Sequence, residues 1–316
     1  MSWLKGYKTQ MLLDWEDTYG DDPSAASAYK VPFNTEDLTQ NQPNQHAATI
    51  RNNRNPTKPF RGNKDAAGTI VVPADLRALG LWLKGAFGSP TTTGSADPYT
   101  HTYKIGDSVP SFLLDIGHTD GTLYYKYNGC KVNTFGMTVG GDGELVANVG
   151  VIAAKETKGV SAYDGSPTDY SSVTTRFENF EASASEGGSS IAYLTEFAFE
   201  LNNGLVPAYC IGDAGTKSDL SGNLVVVTGS ITGLFQDDAL LVKGRNATET
   251  SLQIVVTDGS YSITFNMDEL VLDPTTPPVP GPEGLMLNLN YEAYYDNGSD
   301  ASALKAILVT SVASYA

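Results

Sequence analysis

The 316-residue chain is poor in cysteine, in histidine and in charge. Its two cysteines, Cys130 and Cys210, stand far apart. Two are too few for a disulfide scaffold, and the spacing suits neither a zinc knuckle nor a Cys-x-x-Cys redox pair. Each reads as a small buried hydrophobe beside a strand. The three histidines, His46, His101 and His118, form no His-Glu-x-x-His pair and have no adjacent ligand set, so no metal centre is expected. Charged residues are 18% of the chain, below the roughly 25% usual for soluble domains. No apolar run reaches the roughly 18 residues of a spanning helix, and the first residues lack the apolar segment of a signal peptide. The expectation is synthesis and folding in a cytoplasm, without membrane insertion. Bases are the scarce sign, 20 against 36 acids, for a net charge of −16. That field repels phosphate, which excludes nucleic-acid binding by bulk charge. There is no Gly-x-Ser-x-Gly elbow, no Gly-x-x-x-x-Gly-Lys-Ser/Thr loop and no Gly-x-Gly-x-x-Gly opening a helix. No pair stands out among the 36 acids as a hydrolase dyad. No catalytic residue and no cofactor is expected.

What is present is alternation. Leu123, Tyr125 and Tyr127 share one face of a short run, and Phe135, Met137 and Val139 share one face of another. Phe197, Phe199 and Leu201 alternate with Glu196, Ala198 and Glu200. Leu287, Leu289 and Tyr291 alternate with Asn288, Asn290 and Glu292. Period two is the pattern of half-buried strands, and the Thr-Asp-Gly and Gly-Gly-Asp-Gly runs between them supply the positive φ of tight turns. The chain is mainly β. Two stretches read as helix, 73–87 and 236–243. In the first, Leu76, Leu79, Leu83 and Phe87 recur at three and four, with Pro73 at the start and Gly88 past the end. Gly80 and Gly85 inside it imply close packing on a sheet. Both helices lie between strands in similar surroundings, which points to an internal duplication of a strand–helix–sheet unit. The stretch 158–172, rich in Ser, Thr, Gly, Asp and Pro, reads as a linker between units 1–157 and 173–316. Pro274, Pro277, Pro278, Pro280 and Pro282 mark a stiff connection.

Two charge clusters stand out. From 38 to 64 there is no acid, but five bases: Arg51, Arg54, Lys58, Arg61 and Lys64. The remaining 15 bases face 36 acids. A loop this long in a compact chain is usually functional or ordered by a partner. Only one aromatic, Phe60, accompanies the bases, so stacking on single-stranded nucleic acid is poorly supported. Docking of the arm on an acidic surface, such as another copy of this chain, is favoured over phosphate contacts. Asp14, Glu16, Asp17, Asp21 and Asp22 lack calcium-loop spacing and read as a solvated face or an acidic patch. Asn246-Ala-Thr and Asn297-Gly-Ser match the glycosylation pattern, which has no consequence without secretion. Seventeen Tyr and three Trp leave a carbohydrate-binding β protein as a reading from another class.

Several runs, in order and spacing, resemble the two-domain tail tube proteins of long-tailed bacteriophages. They are Trp15-Glu-Asp-Thr-Tyr-Gly20, Val31-Pro-Phe-Asn34, Gly68-Thr-Ile70, Ala86-Phe-Gly88 and Tyr99-Thr-His-Thr-Tyr103. The turn Tyr127-Asn-Gly-Cys-Lys-Val-Asn133 follows, then Phe197-Ala-Phe-Glu-Leu-Asn-Asn-Gly204 and Val227-Thr-Gly-Ser-Ile-Thr-Gly233. The Pro-rich segment 274–282 departs from the pattern. The resemblance implies two similar β-sandwich or barrel domains, each with one short helix packed on its sheets. It implies a structural virion protein whose sheets join those of neighbouring copies in stacked rings, with a long first-half loop reaching the next ring. Arg51, Arg54, Lys58, Arg61 and Lys64 would make that contact. Three chains per ring are expected if the halves are equivalent, and six if they are not. Double-stranded DNA would pass through the lumen without specific binding; a tape measure protein and a tail terminator would be partners. A terminator or distal tail component is the alternative of the same fold.

Overall fold

The computed structural model describes residues 3–172, 175–295, 298 and 300–315. Val173, where the second unit is expected to begin, and Asn297 of the second sequon lie outside the described residues. In chain order, β1 (Thr9–Trp15), β2 (Tyr29–Val31), β3 (Thr35–Glu36) and β4 (Thr39–Asn41) precede a short hairpin, β5 (Asn44–Gln45) and β6 (Phe60–Arg61). Then come β7 (Asp65–Pro73), helix α1 (Leu79–Phe87), β8 (Thr91–Thr93), β9 (Tyr99–Lys104), β10 (Phe112–His118), β11 (Leu123–Gly140), β12 (Val146–Ala153) and β13 (Lys155–Gly159). After β14 (Thr168–Asp169), the second half holds β15 (Ala182–Glu186), β16 (Ser189–Ser190), β17 (Leu194–Asn202), β18 (Val206–Ala208), β19 (Asp219–Ser221) and β20 (Val226–Leu234). Helix α2 (Ala239–Arg245), β21 (Thr250–Asp258), β22 (Tyr261–Leu272), β23 (Met286–Ala293) and β24 (Lys305–Thr310) follow.

One antiparallel sheet runs β3/β4–β7–β12–β11–β17–β20–β23. β11 enters it through residues 131–140, while its earlier part pairs with β10 and β13 in a second sheet that continues to β1 and β2. β22 behaves likewise: 270–272 pairs with β23, whereas its earlier part pairs with β21 and β24. The strand β9 of the first half pairs with β24, almost at the chain end.

The alternating runs at 123–127 and 135–139 therefore belong to one strand, and Tyr127–Asn133 is not a chain reversal. Gly129, at φ +64, takes up a left-handed kink inside β11. A Cβ there would come within 2.7 Å of the Ala154 methyl, so glycine is required both for the dihedral and for the space. The ladders on β11 slip register beside the kink, which turns the strand from one sheet into the other.

The first helix begins at Leu79 rather than at 73. Pro73 ends β7, and the Asp75 carboxylate accepts the N–H groups of Arg77 and Ala78 at 2.9 and 2.8 Å, winding the intervening residues into turns. Close packing on a sheet is present at Gly85, where a Cβ would meet Val132 of β11 at 3.0 Å; Gly80 is close-packed instead against the Tyr315 ring beyond β24, at 2.2 Å. The second helix is displaced likewise, spanning Ala239–Arg245 rather than 236–243.

Phe87 packs on Phe135 at 6.4 Å, Phe135 on Phe199 at 6.3 Å, and Phe199 on Phe265 at 4.6 Å. Each buried ring contributes on the order of 1.5–3 kcal/mol. One core thus runs through residues of both halves. The stretch 158–172 lies against the first half, with Tyr163 N–H donating to Asp115, Ala28 N–H donating to Asp164, and β14 pairing with β2. Among the described residues no helix is long and apolar enough to cross a membrane.

Candidate assembly surfaces

Strand alternation turns one face of the first sheet to the core and leaves the other open. Register aligns the open side chains in rows. Gly136, Glu200, Thr228 and Glu292 form one row, and Thr138, Ala198, Ser230 and Asn290 the next. Glu196, Thr232 and Asn288 follow beside Gly140. The residues are small or neutral except for exposed Glu196, Glu200 and Glu292, with Asp273 at the margin. A shallow groove of about 610 Å³ follows the middle of the face. Among the described residues, no Lys or Arg lies in these rows.

The basic stretch leaves the sheet at β4 and returns at β7. Its hairpin β5–β6 ties the base, while Arg51, Arg54, Lys58 and Arg61 are exposed and Lys64 is half-buried. Arg51 donates to the carbonyls of Asn55 and Pro56, and Arg61 to that of Gln42. Lys64 is held by its backbone, through Gly215 and the Tyr209 hydroxyl. Among the described residues none of the five forms an ion pair with an acid. The structure places the five on one arm.

The acids at 14–22 do not form a patch. Asp14 is buried and accepts from Trp15 and Ser27 N–H; Glu16 accepts from Gly20 and from Gly129, fastening the loop onto the kink of β11. Asp17 holds Ser24, and Asp22 pairs with Lys126 at 2.6 Å. Burial pushes the carboxyls of Asp14, Glu16, Asp75 and Asp115 above their ordinary values, against backbone donors that pull them down. Such a group binds its proton more tightly in the folded chain. Its stabilisation is complete below the unfolded pKa, 3.8 for Asp and 4.5 for Glu, and is lost as pH rises through the folded pKa. Calorimetry of the dispersed chain should therefore give a higher Tm at pH 5 than at pH 7.5. A Tm that falls on acidification would assign the dominant protonation to other groups.

His101 is buried, bridging Thr92 and the Val312 carbonyl, and His118 bonds Thr9. Cys130 is buried, but Cys210 is exposed because it follows the surface strand β18 rather than lying in a sheet facing the core. Trp82 is buried and Trp15 is half-buried beneath the Lys84 ammonium at 4.2 Å, so neither offers an open stacking platform. Among the described residues no three His, Cys, Asp or Glu side chains gather as a metal site.

A mainly β chain that presents a smooth acidic sheet face and a basic arm belongs to the structural class, in which surfaces rather than a reactive cavity carry the function. The chain matches the family described as phage tail tube protein over residues 6–293, and it belongs to that family. No curated protein matches it.

Proposed function

We propose that copies of this chain close into rings and stack as the tail tube, the conduit through which double-stranded DNA leaves the virion. The observation that carries the reading is the base-free open face. Duplex DNA bears about one charge per 1.7 Å and is held where cations displace its counterions. A wall carrying Glu196, Glu200 and Glu292 offers no such exchange, so DNA slides without specific binding. The two halves of each chain act as quasi-equivalent domains, so three chains make a ring of six units. A tape measure protein and a terminator are the further partners in the virion, after synthesis in the host cytoplasm.

Negative-stain microscopy of the purified chain, with mass measurement of the soluble fraction, tests this. Tubes or stacked rings with threefold symmetry are expected. Single rings that never stack, as a terminator would give, or a monomer at every concentration would overturn the tube reading. Six identical subunits per ring would overturn the count of three.

The arm supplies the axial contact in this reading, its bases meeting the acid-rich remainder of a copy in the next ring. Replacing Arg51, Arg54, Lys58, Arg61 and Lys64 by Ser should shift stability by no more than about 0.5 kcal/mol, as is usual for surface sites. Tubes should be shorter and come apart at lower salt, because exposed charges are screened beyond about 8 Å at 0.15 M. Tubes of unchanged length and salt resistance would remove the arm from the axial contact.

A further inference from the structure

The two halves share a pairing scheme in their main strands. In the first, β1 pairs with β10, β10 with β11, and β13 flanks β11. The end of β11 pairs with β12, β12 with β7, and β7 with β3 and β4. In the second, β15 pairs with β21, β21 with β22, and β24 flanks β22. The end of β22 pairs with β23, β23 with β20, and β20 with β17. Each helix follows the matching strand, α1 after β7 and α2 after β20.

The registers agree as well. Phe112 at the start of β10 faces Cys130, and Thr250 at the start of β21 faces Leu270. Carrying that alignment through the ladders superposes Gly68 on Gly229 and the run 35–41 on 196–202. Buried and open sides coincide from 66 to 72 on β7 with 227 to 233 on β20, and along β12 and β23. Both glycines also sit where a Cβ would strike the neighbouring backbone, 2.5 Å from Leu38 Cα and 2.2 Å from Ala198 O.

Outside the β24–β9 ladder, one pairing of the first sheet lacks a counterpart. β17 is bonded to the end of β11 over seven residues, Glu196 facing Gly140 and Asn202 facing Thr134. Its equivalent, the run 35–41, has β7 as its only strand partner; at its outer edge the Tyr127 hydroxyl donates to the Leu38 carbonyl and the Leu38 N–H donates to the Glu36 carboxylate, side-chain contacts that docking would replace. The equivalent of Thr134–Gly140 is 274–280, the Pro-rich segment just after β22. Thr35, Asp37, Thr39 and Asn41 are exposed on one run; on the other, exposed Pro274, Thr276 and Pro278 alternate with half-buried Thr275 and Pro277, and the alternation ends at exposed Val279 and Pro280.

We infer that the run 35–41 of one copy docks on 274–280 of the next, in the register that β17 takes on β11. This rests on the ring reading above and names its lateral contact. In that register Thr39 faces Thr276 and Thr35 faces Pro280. In the same register the edge groups of Glu36, Leu38 and Gln40 face Val279, Pro277 and Thr275, so Pro277 removes one of three donors. An edge of that kind does not template indiscriminate strand addition in the free chain. It leaves the contact between copies weaker than the internal one it copies.

Cysteine pairing tests the register, with Cys210→Ser in every variant to remove the exposed thiol. Thr39→Cys with Thr276→Cys should cross-link on mild oxidation of assembled protein, giving a denaturing-gel ladder that closes at the ring number. Thr35→Cys with Thr276→Cys is four residues out of register, about 13 Å along a strand, and should not link. In the unsubstituted chain, amide exchange over 35–41 should slow on assembly. Tubes without the Thr39–Thr276 link and without that protection would overturn the inference alone. Equal linking of the out-of-register pair would do the same. A chain that never assembles would overturn the ring reading, and the lateral contact with it.

Discussion

Tubes built from a Glu196→Lys, Glu200→Lys, Glu292→Lys variant should hold duplex DNA that wild-type tubes release. All three side chains are exposed on the open face, so the substitutions should leave folding within about 0.5 kcal/mol of wild type. The effect should come from the wall. Each chain exchanges three carboxylates for three ammonium groups, and a ring repeats them around the lumen. If 6–10 phosphates are contacted, affinity should fall by about 10³–10⁵ between 50 and 200 mM salt. Co-sedimentation of tubes with a labelled duplex, followed by nuclease challenge, reads both retention and protection inside the lumen. Variant tubes that leave DNA free at 50 mM salt would mean that this face does not line the channel.

Gly229→Ala should destabilise the chain by about 3 kcal/mol, at the upper end of overpacking costs. Gly229 lies on the core side of β20, directly opposite Tyr291 of β23. The tyrosine ring folds over it and donates its hydroxyl to the Ala198 carbonyl at 2.9 Å. A methyl at Gly229 would sit 2.2 Å from that carbonyl and 2.3 Å from the hydroxyl. Two strands and one buried ring would have to move together. Tyr291→Phe keeps the ring and loses one hydrogen bond, so it should cost only about 1 kcal/mol. Urea unfolding of both variants checks the pair. A Gly229→Ala chain as stable as Tyr291→Phe would show that the sheet yields at this point.

Much of this architecture is legible in the sequence, because burial of one face writes alternation directly into residue order. The runs at 196–201 and 287–292 already separate Phe199 and Leu289 from Glu200 and Asn290. What alternation cannot convey is which strands are neighbours. Glu200 and Glu292 share a row only because β20 lies between β17 and β23. The absence of bases from every open position of those strands was a visible signal, but it has meaning only once they form one face. Gly129 shows a different limit. A glycine at positive φ inside a strand and one in a hairpin turn look alike in sequence, and the surrounding Ala154 and Glu16 decide between them. The acids at 14–22 were obscured for a related reason: their partners, Gly129, Ser27 and Lys126, are mostly remote in sequence.

The pairing of β9 with β24 bears on the time at which a protomer becomes complete. Residues 99–104 leave the ribosome about 200 residues before 305–310, their ladder partner. At roughly 5–20 residues per second, the edge of β9 waits on the order of 10–40 s for it. Until then β9 has only β8 as a ladder partner, however early the core of the first half collapses. A protomer is complete only once β24 has emerged and taken its place beside β9.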